Sequence, residues 1–256
     1  MKIIALRGCF AVECSYGRAI MLQILHEDDS IVVVNKPSGL PTIPANNMPR
    51  RESLAGEIEE LIGKKIFVVH RLDRETSGAV IFAKTPEAHK DLNMQFEQRK
   101  VMKYYLALVE GQCDFGEKEI NIPLSKSKSK SRKPALASKG LEAVTRVKTL
   151  RNFESHALLE VMPLTGRRHQ IRLHLKAIGH PLAFDRLYGR KEHFPLSLVT
   201  RNPKDQAVAV CRLPLHAYRI SFAHPGTQQK LDVTAPLPED FGSISDFLFQ
   251  PGLFGA

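Results

Sequence analysis

The sequence predicts an α+β fold: a mixed, largely antiparallel sheet with flanking helices. Three observations carry that expectation. Strand-like and helix-like segments follow one another with no regular βαβ alternation. No segment repeats along the chain, which excludes a solenoid or propeller. The 256 residues are 43% apolar and 25% charged, enough to bury a sizeable core and unlike disordered, collagenous or disulfide-stapled chains.

Residues 1–20 show no clear pattern and are expected to be a poorly structured N-terminal extension, leaving 21–256 as a single domain. The β-branched run Ile31–Val34 reads as a strand ended by Pro37 and Gly39. Leu54, Ile58, Leu61 and Ile62 recur at helical spacing, so 51–63 is expected to be an amphipathic helix. Two short apolar runs, Ile66–Val69 and Ala79–Ala83, bracket the polar loop His70–Gly78. Thr85 and Pro86 read as a helix cap and first helical residue, followed by Ala88, Leu92 and Phe96 on one face. Tyr104–Glu110 is a strand, and 113–139 reads as an irregular, basic, flexible loop with five cations between Lys126 and Lys133. Strands near 141–149 and 156–162 lead through the Thr165-Gly166 turn into a helix at about 168–178. Further strands are expected near 207–211, 216–222 and 230–234, with a short helix after Pro238.

Thirty-seven Lys and Arg against 27 Asp and Glu give a formal charge of +10, which favours a polyanionic partner such as nucleic acid. Four cysteines, Cys9, Cys14, Cys113 and Cys211, form no CxxC pair and support neither a disulfide framework nor a metal cluster. The apolar start is interrupted by Arg7 and Glu13, which spoils a signal peptide, and no 18-residue apolar run exists. A cytoplasmic protein without a membrane span is expected.

Two segments carry candidate chemistry. In His70-Arg71-Leu72-Asp73-Arg74-Glu75-Thr76-Ser77-Gly78, two arginines flank an aspartate on a loop held between strands. That pattern suits an ionised carboxylate in a site, but by residue types and spacing alone it suits better a salt-bridged turn in which Asp73 caps backbone amides. In Thr165-Gly166-Arg167-Arg168-His169-Gln170-Ile171-Arg172-Leu173-His174, a turn opens a helix rich in cations, with Lys176 beyond. Arg168, Arg172 and Lys176 recur every fourth residue, so they repel one another unless a phosphate or a carboxylate answers them. His169 and His174 are poorly spaced for a metal.

HRLDRETSG resembles the active-site motif of the RluA-type pseudouridine synthases, and TGRRHQIRLHL resembles that family's arginine-rich motif. Matches in family order support the resemblance: Asn35-Lys36-Pro37-Ser38-Gly39-Leu40, Lys103-Tyr104-Tyr105, Gly179-His180-Pro181 with Asp185, Leu215-His216-Ala217 and His224-Pro225. It spans roughly 22–236.

The resemblance implies the pseudouridine synthase catalytic fold with a central active-site cleft. It also implies conversion of uridine to pseudouridine within RNA, with no cofactor and no metal. By motif, Asp73 is the catalytic carboxylate, Arg172 its basic partner and Tyr105 the tyrosine against the uracil ring, with Tyr104 the alternative to Tyr105. Arg71 takes the place of the extruded base. Arg74, Arg167, Arg168, His169 and Lys176 are expected on the RNA, with Leu173 against the target base. Phe184 stands where the family more often has glycine, so the loop backbone there is expected to depart from the family's. No separate RNA-binding domain precedes the catalytic pattern in this chain, so RNA selection is expected from the catalytic domain, the 113–139 loop included. The implied partner is a ribosomal or transfer RNA stem-loop, and the implied state a monomer. The alternative is a non-catalytic RNA-binding or ribosome-assembly protein with a vestigial site; Asp73, Tyr105 and Arg172 together weigh against it.

Overall fold

A computed structural model describes residues 22–45, 48–125, 134–189 and 212–238 with their side chains, and the backbone alone of 5–6, 9–13, 19–21, 194–195 and 208–210. In chain order the elements are β1 (Ala5–Leu6), β2 (Cys9–Glu13), β3 (Ala19–Glu27), β4 (Ile31–Lys36), α1 (Leu54–Ile62), β5 (Phe67–Val68), β6 (Ser77–Ala83) and α2 (Pro86–Glu97). They continue as β7 (Met102–Glu110), β8 (Glu117–Asn121), β9 (Val144–Asn152), β10 (His156–Pro163), α3 (Gln170–Ala177), β11 (Phe194–Pro195), β12 (Val208–Val210), β13 (Leu215–Ala223) and β14 (Lys230–Thr234). This is the α+β class read from the sequence. The chain forms two compact units, one from the residues up to Lys103 with Ala217–Pro236, the other from Tyr104–His216.

In the first unit the strands run in the order β1-β2-β3-β4-β6-β13, with β5 on β6 and β14 on β13. The β3–β4, β4–β6, β5–β6 and β13–β14 pairs are all antiparallel. One sheet face is recorded by alternate residues: Ile31 and Val33 of β4, Ala79, Ile81 and Ala83 of β6, and Ile220 and Phe222 of β13 share a core cluster with Ala88 and Leu92 of α2. Burying each large aliphatic or aromatic side chain there contributes about 1.5–3 kcal/mol. The helix starts where the sequence places it, since the Thr85 hydroxyl accepts the Ala88 N–H at 3.2 Å ahead of Pro86. Ser53 caps α1 in the same way.

In the second unit β7, β10, β9 and β8 pair antiparallel in that order. Tyr105 of β7 lies opposite Val161 of β10. Cys113 is buried, and burial, aided by Asp114, pushes its thiol up to about 11, so it stays protonated.

Three expectations meet a different outcome, and two others fall on residues that the structure does not describe. The segment read as irregular contains a strand, β8, whose alternation is hidden by charges: of its five side chains only Ile120 is buried. The helix expected from about 168 begins at Gln170. Within residues 1–20, β1 and β2 pair with each other and β2 pairs with β3. Lys126–Lys133 and the helix expected after Pro238 lie outside the described residues. Among the described residues no helix is long and apolar enough to cross a membrane.

Candidate active site

The loop His70–Gly78 joins β5 to β6, and the segment 36–42 grips its backbone on both sides of Asp73. The Lys36 ammonium is fully buried and donates to the carbonyls of Pro37 at 2.8 Å, Leu40 at 2.7 Å and Arg74 at 2.9 Å. The Gly39 N–H donates to the same Arg74 carbonyl at 2.9 Å, and Arg74 Nε returns a bond to the Gly39 carbonyl at 2.8 Å. On the other flank the Thr42 hydroxyl donates to the Leu72 carbonyl at 3.1 Å and accepts the Leu72 N–H at 3.2 Å. Both neighbours of Asp73 are therefore fixed by groups some thirty residues away in sequence. Asp73 itself is half-buried, and its carbonyl accepts the Thr76 N–H at 3.1 Å, closing a tight turn.

Gly78 ends the loop at φ +115°, where a Cβ would stand 2.2 Å from the Ala217 carbonyl oxygen. No side chain fits, so the last residue of the loop motif and the alanine of Leu215-His216-Ala217 are one packing requirement.

A charge removed from water is tolerable only when its hydrogen bonds are complete, and three carbonyls complete those of Lys36. Lys36→Met leaves the Pro37 and Leu40 carbonyls without this donor and should destabilise the fold by about 3 kcal/mol, measured by denaturant unfolding.

His70 belongs to the core. Its Nε2 accepts the Ile81 N–H at 3.0 Å and its ring stacks on Phe96 with centroids 4.9 Å apart. Burial, reinforced by the Lys103 charge, holds its pKa at about 3, so it is neutral. Burial likewise pushes Lys103 down to about 8.

In the second unit, a polar network seats α3. Buried Gln170 accepts the Arg167 N–H at 3.0 Å and the Thr165 hydroxyl at 2.6 Å, and donates to the Val144 carbonyl and Thr145 hydroxyl, both at 2.9 Å. His174 is fully buried between the Thr145 hydroxyl and the Ile122 carbonyl; burial keeps its pKa below the ordinary value despite that carbonyl. Both residues are structural.

Arg172 is buried, and its guanidinium forks onto Asp185: Nε to Oδ2 at 2.8 Å and Nη2 to Oδ1 at 2.6 Å. Asp185 is fully buried and also accepts the Leu187 and Tyr188 N–H groups at 2.9 and 3.2 Å. Burial alone would push its carboxyl up, but the Arg172 bonds and charge and the two amides outweigh it and hold it below the usual range. The Tyr188 ring lies under the guanidinium at 5.0 Å and under the Lys176 ammonium at 6.0 Å, and its hydroxyl meets His169 Nδ1 at 2.9 Å. Thus for Arg172 the repulsion within the cationic stripe is answered by a carboxylate 13 residues on. Asp185 was marked by the family resemblance without a role and Tyr188 was not marked; the unanswered charge on α3 was the available signal that Arg172 has a partner.

The remaining candidates divide by exposure. Arg71, Arg74, Arg167, Arg168 and Lys176 are exposed. Arg74 is tied to the Gly39 carbonyl, and Arg167 Nε donates to the Glu142 carbonyl at 3.1 Å. Arg168 precedes α3, so the helical stripe consists of Arg172 and Lys176. His169 is half-buried with a left-handed backbone, φ +54°. Leu173 is packed with Leu124, Ala143 and Tyr188, and its burial is that of a core residue. Tyr105 is buried and Tyr104 half-buried. Phe184 has φ +58°, the left-handed backbone that favours glycine.

Among the described residues one trio has metal-like spacing: His26, Asp28 and His224 bring ligand atoms within 4.8 Å of one another. Asp28 Oδ2 accepts from His26 Nε2 at 2.7 Å and His224 Nε2 at 2.9 Å. The Gly226 and Thr227 amides donate to His224 Nδ1, which places its proton on Nε2, pointing at Asp28. A cation would need that lone pair, so the trio fits a clasp between two turns better than a metal centre. Partial burial pushes the Asp28 carboxyl up, yet His26, the Ser30 and Ile31 amides and His224 outweigh it and hold it at about 2.

The first unit thus offers a carboxylate on a rigidly held loop beside exposed guanidiniums, and the second a buried guanidinium in a fixed orientation below exposed cations. Carboxylate chemistry on a polyanion suits both. The RNA pseudouridylate synthase family model matches residues 30–177. The ribosomal large subunit pseudouridine synthase D of Nitrosomonas europaea is 36% identical over 234 residues, 89% of this chain and 65% of its own length. The dual-specificity RNA pseudouridine synthase RluA of Pasteurella multocida is 36% identical over 217 residues, 84% of this chain and 93% of its own. The solved structure of human RNA pseudouridylate synthase domain containing 4 superposes with a TM-score of 0.67 at 26% identity, covering 88% of this chain and 92% of that one. The chain therefore spans somewhat under two thirds of the length of the Nitrosomonas relative and nearly all of the Pasteurella one.

Proposed function

Because the chain belongs to the RNA pseudouridylate synthase family, we propose that it isomerises specific uridines of structured RNA to pseudouridine. Ribosomal RNA is the first substrate class to test, since a relative is named for the ribosomal large subunit, with transfer RNA second. The observation that carries the reading is the grip on the backbone of Leu72 and Arg74, on either side of Asp73. A reacting carboxylate gains from such preorganisation; a surface turn does not need it.

In this reading Asp73 acts as nucleophile or as the charge that stabilises the parting sugar. Arg172 is its basic partner by motif, Tyr105 lies against uracil, and Arg71 fills the place of the extruded base. Exposed Arg74, Arg167, Arg168 and Lys176 hold phosphates, and His169 assists them. The N1–C1′ bond breaks, the C5–C1′ bond forms, the hydrogen on C5 leaves to solvent and N1 gains a proton. Atoms and electrons balance without an external reactant, so the proposal names no cofactor or metal. Residues 21–256 act as one catalytic domain, as a monomer in the cytoplasm.

Loss of the C5 hydrogen supplies the test. RNA transcripts labelled with tritium at uracil C5 should release label into water when incubated with the protein, from one RNA class and not the other. Tight binding with no release, even from RNA drawn from a strain lacking the protein, would overturn the isomerase reading in favour of a binding protein.

A further inference from the structure

We infer that the Phe184 ring is a stacking platform for a nucleobase of the substrate RNA, the base beside the target uridine. The inference rests on the RNA reading above, and its observations are separate.

Phe184 sits in the left-handed region, φ +58°, where a bulky side chain is strained and glycine is at ease. The strain persists because both flanks are tied down. Before it, the Glu110 N–H donates to the Pro181 carbonyl at 2.9 Å and the Ala183 N–H to the Leu108 carbonyl at 3.0 Å, holding the strip along β7. After it, Asp185 is locked to Arg172 and to the Leu187 and Tyr188 amides. The turn itself needs no side chain at 184.

The ring is not sealed in the interior: Phe184 is only half-buried. The Arg186 guanidinium lies over it at 5.6 Å, and next along the chain Leu187 is 40% exposed. A half-open aromatic face with an arginine over it is the chemistry that receives an unstacked base. The platform is one residue from the carboxylate that orients Arg172, the residue that the family motif pairs with Asp73, and on that pairing the base it receives is the target uridine's neighbour.

The test uses the full chain and hairpin transcripts carrying 2-aminopurine beside each loop uridine. Binding of the native protein should quench one of these probes. In Phe184→Gly the quenching should vanish and affinity fall by about tenfold, while the melting temperature stays at or above the native value because the turn is relieved. Phe184→Tyr should keep the quenching and Phe184→Leu should lose it, which separates stacking from simple apolar contact with RNA or protein. Quenching that is absent or indifferent to residue 184 would overturn the inference, as would a fall in affinity that tracks a fall in melting temperature. Phe184-dependent quenching without tritium release from any RNA would keep the platform and sink the isomerase reading instead.

Discussion

Asp73→Asn should lower tritium release by about a thousandfold or more while RNA affinity stays within a few fold of native. Asparagine keeps the shape and the turn, in which the Asp73 carbonyl accepts the Thr76 N–H. The charge and the nucleophilic oxygen go. The grip of Lys36 and Thr42 on Arg74 and Leu72 is also untouched, so the loop should hold its path. Comparing turnover and affinity of the purified variant decides the matter. Release at a tenth of the native rate would remove Asp73 from the chemistry, and a parallel collapse of affinity would make it a binding residue.

Asp185→Asn should cost about 3–5 kcal/mol of stability, because it leaves the Arg172 guanidinium buried opposite a neutral group. The pair also predicts a pH dependence. The folded carboxyl ionises below the ordinary 3.8, so it binds protons less readily folded than unfolded. Its stabilisation is fully present above about pH 4 and drains away as pH falls through the folded value. Denaturant unfolding of both proteins between pH 7 and pH 2 should give a gap that narrows on acidification. A variant as stable as the native chain at pH 7 would mean that the fork contributes nothing net. If Arg172 serves the chemistry, turnover should fall as well, further than stability alone explains.

Much of the fold was legible because local chemistry recorded it. Continuous apolar runs at Ile31–Val34 and Ala79–Ala83 and the cap at Thr85 depend on near neighbours and were found where expected. The strand β8 was missed because it lies among charges, and Glu117 and Glu119 pair with Lys148 and Arg146 of β9, far along the chain.

The candidate site divides along the same line. The sequence by itself determined the family and the loop that carries Asp73, since a short motif between two strands is local information. It also set the basic character of the segment 167–176. Tertiary structure alone decided that Lys36 is a buried staple and not a surface cation, that Asp185 answers Arg172, that His70 and His174 are neutral and structural, and that Phe184 holds a left-handed turn. The physical reason is common to the first three. A side chain's charge state and partner depend on desolvation and on groups that the fold brings within hydrogen-bond reach from many residues away, and periodicity along a chain records which face is buried without naming what it meets.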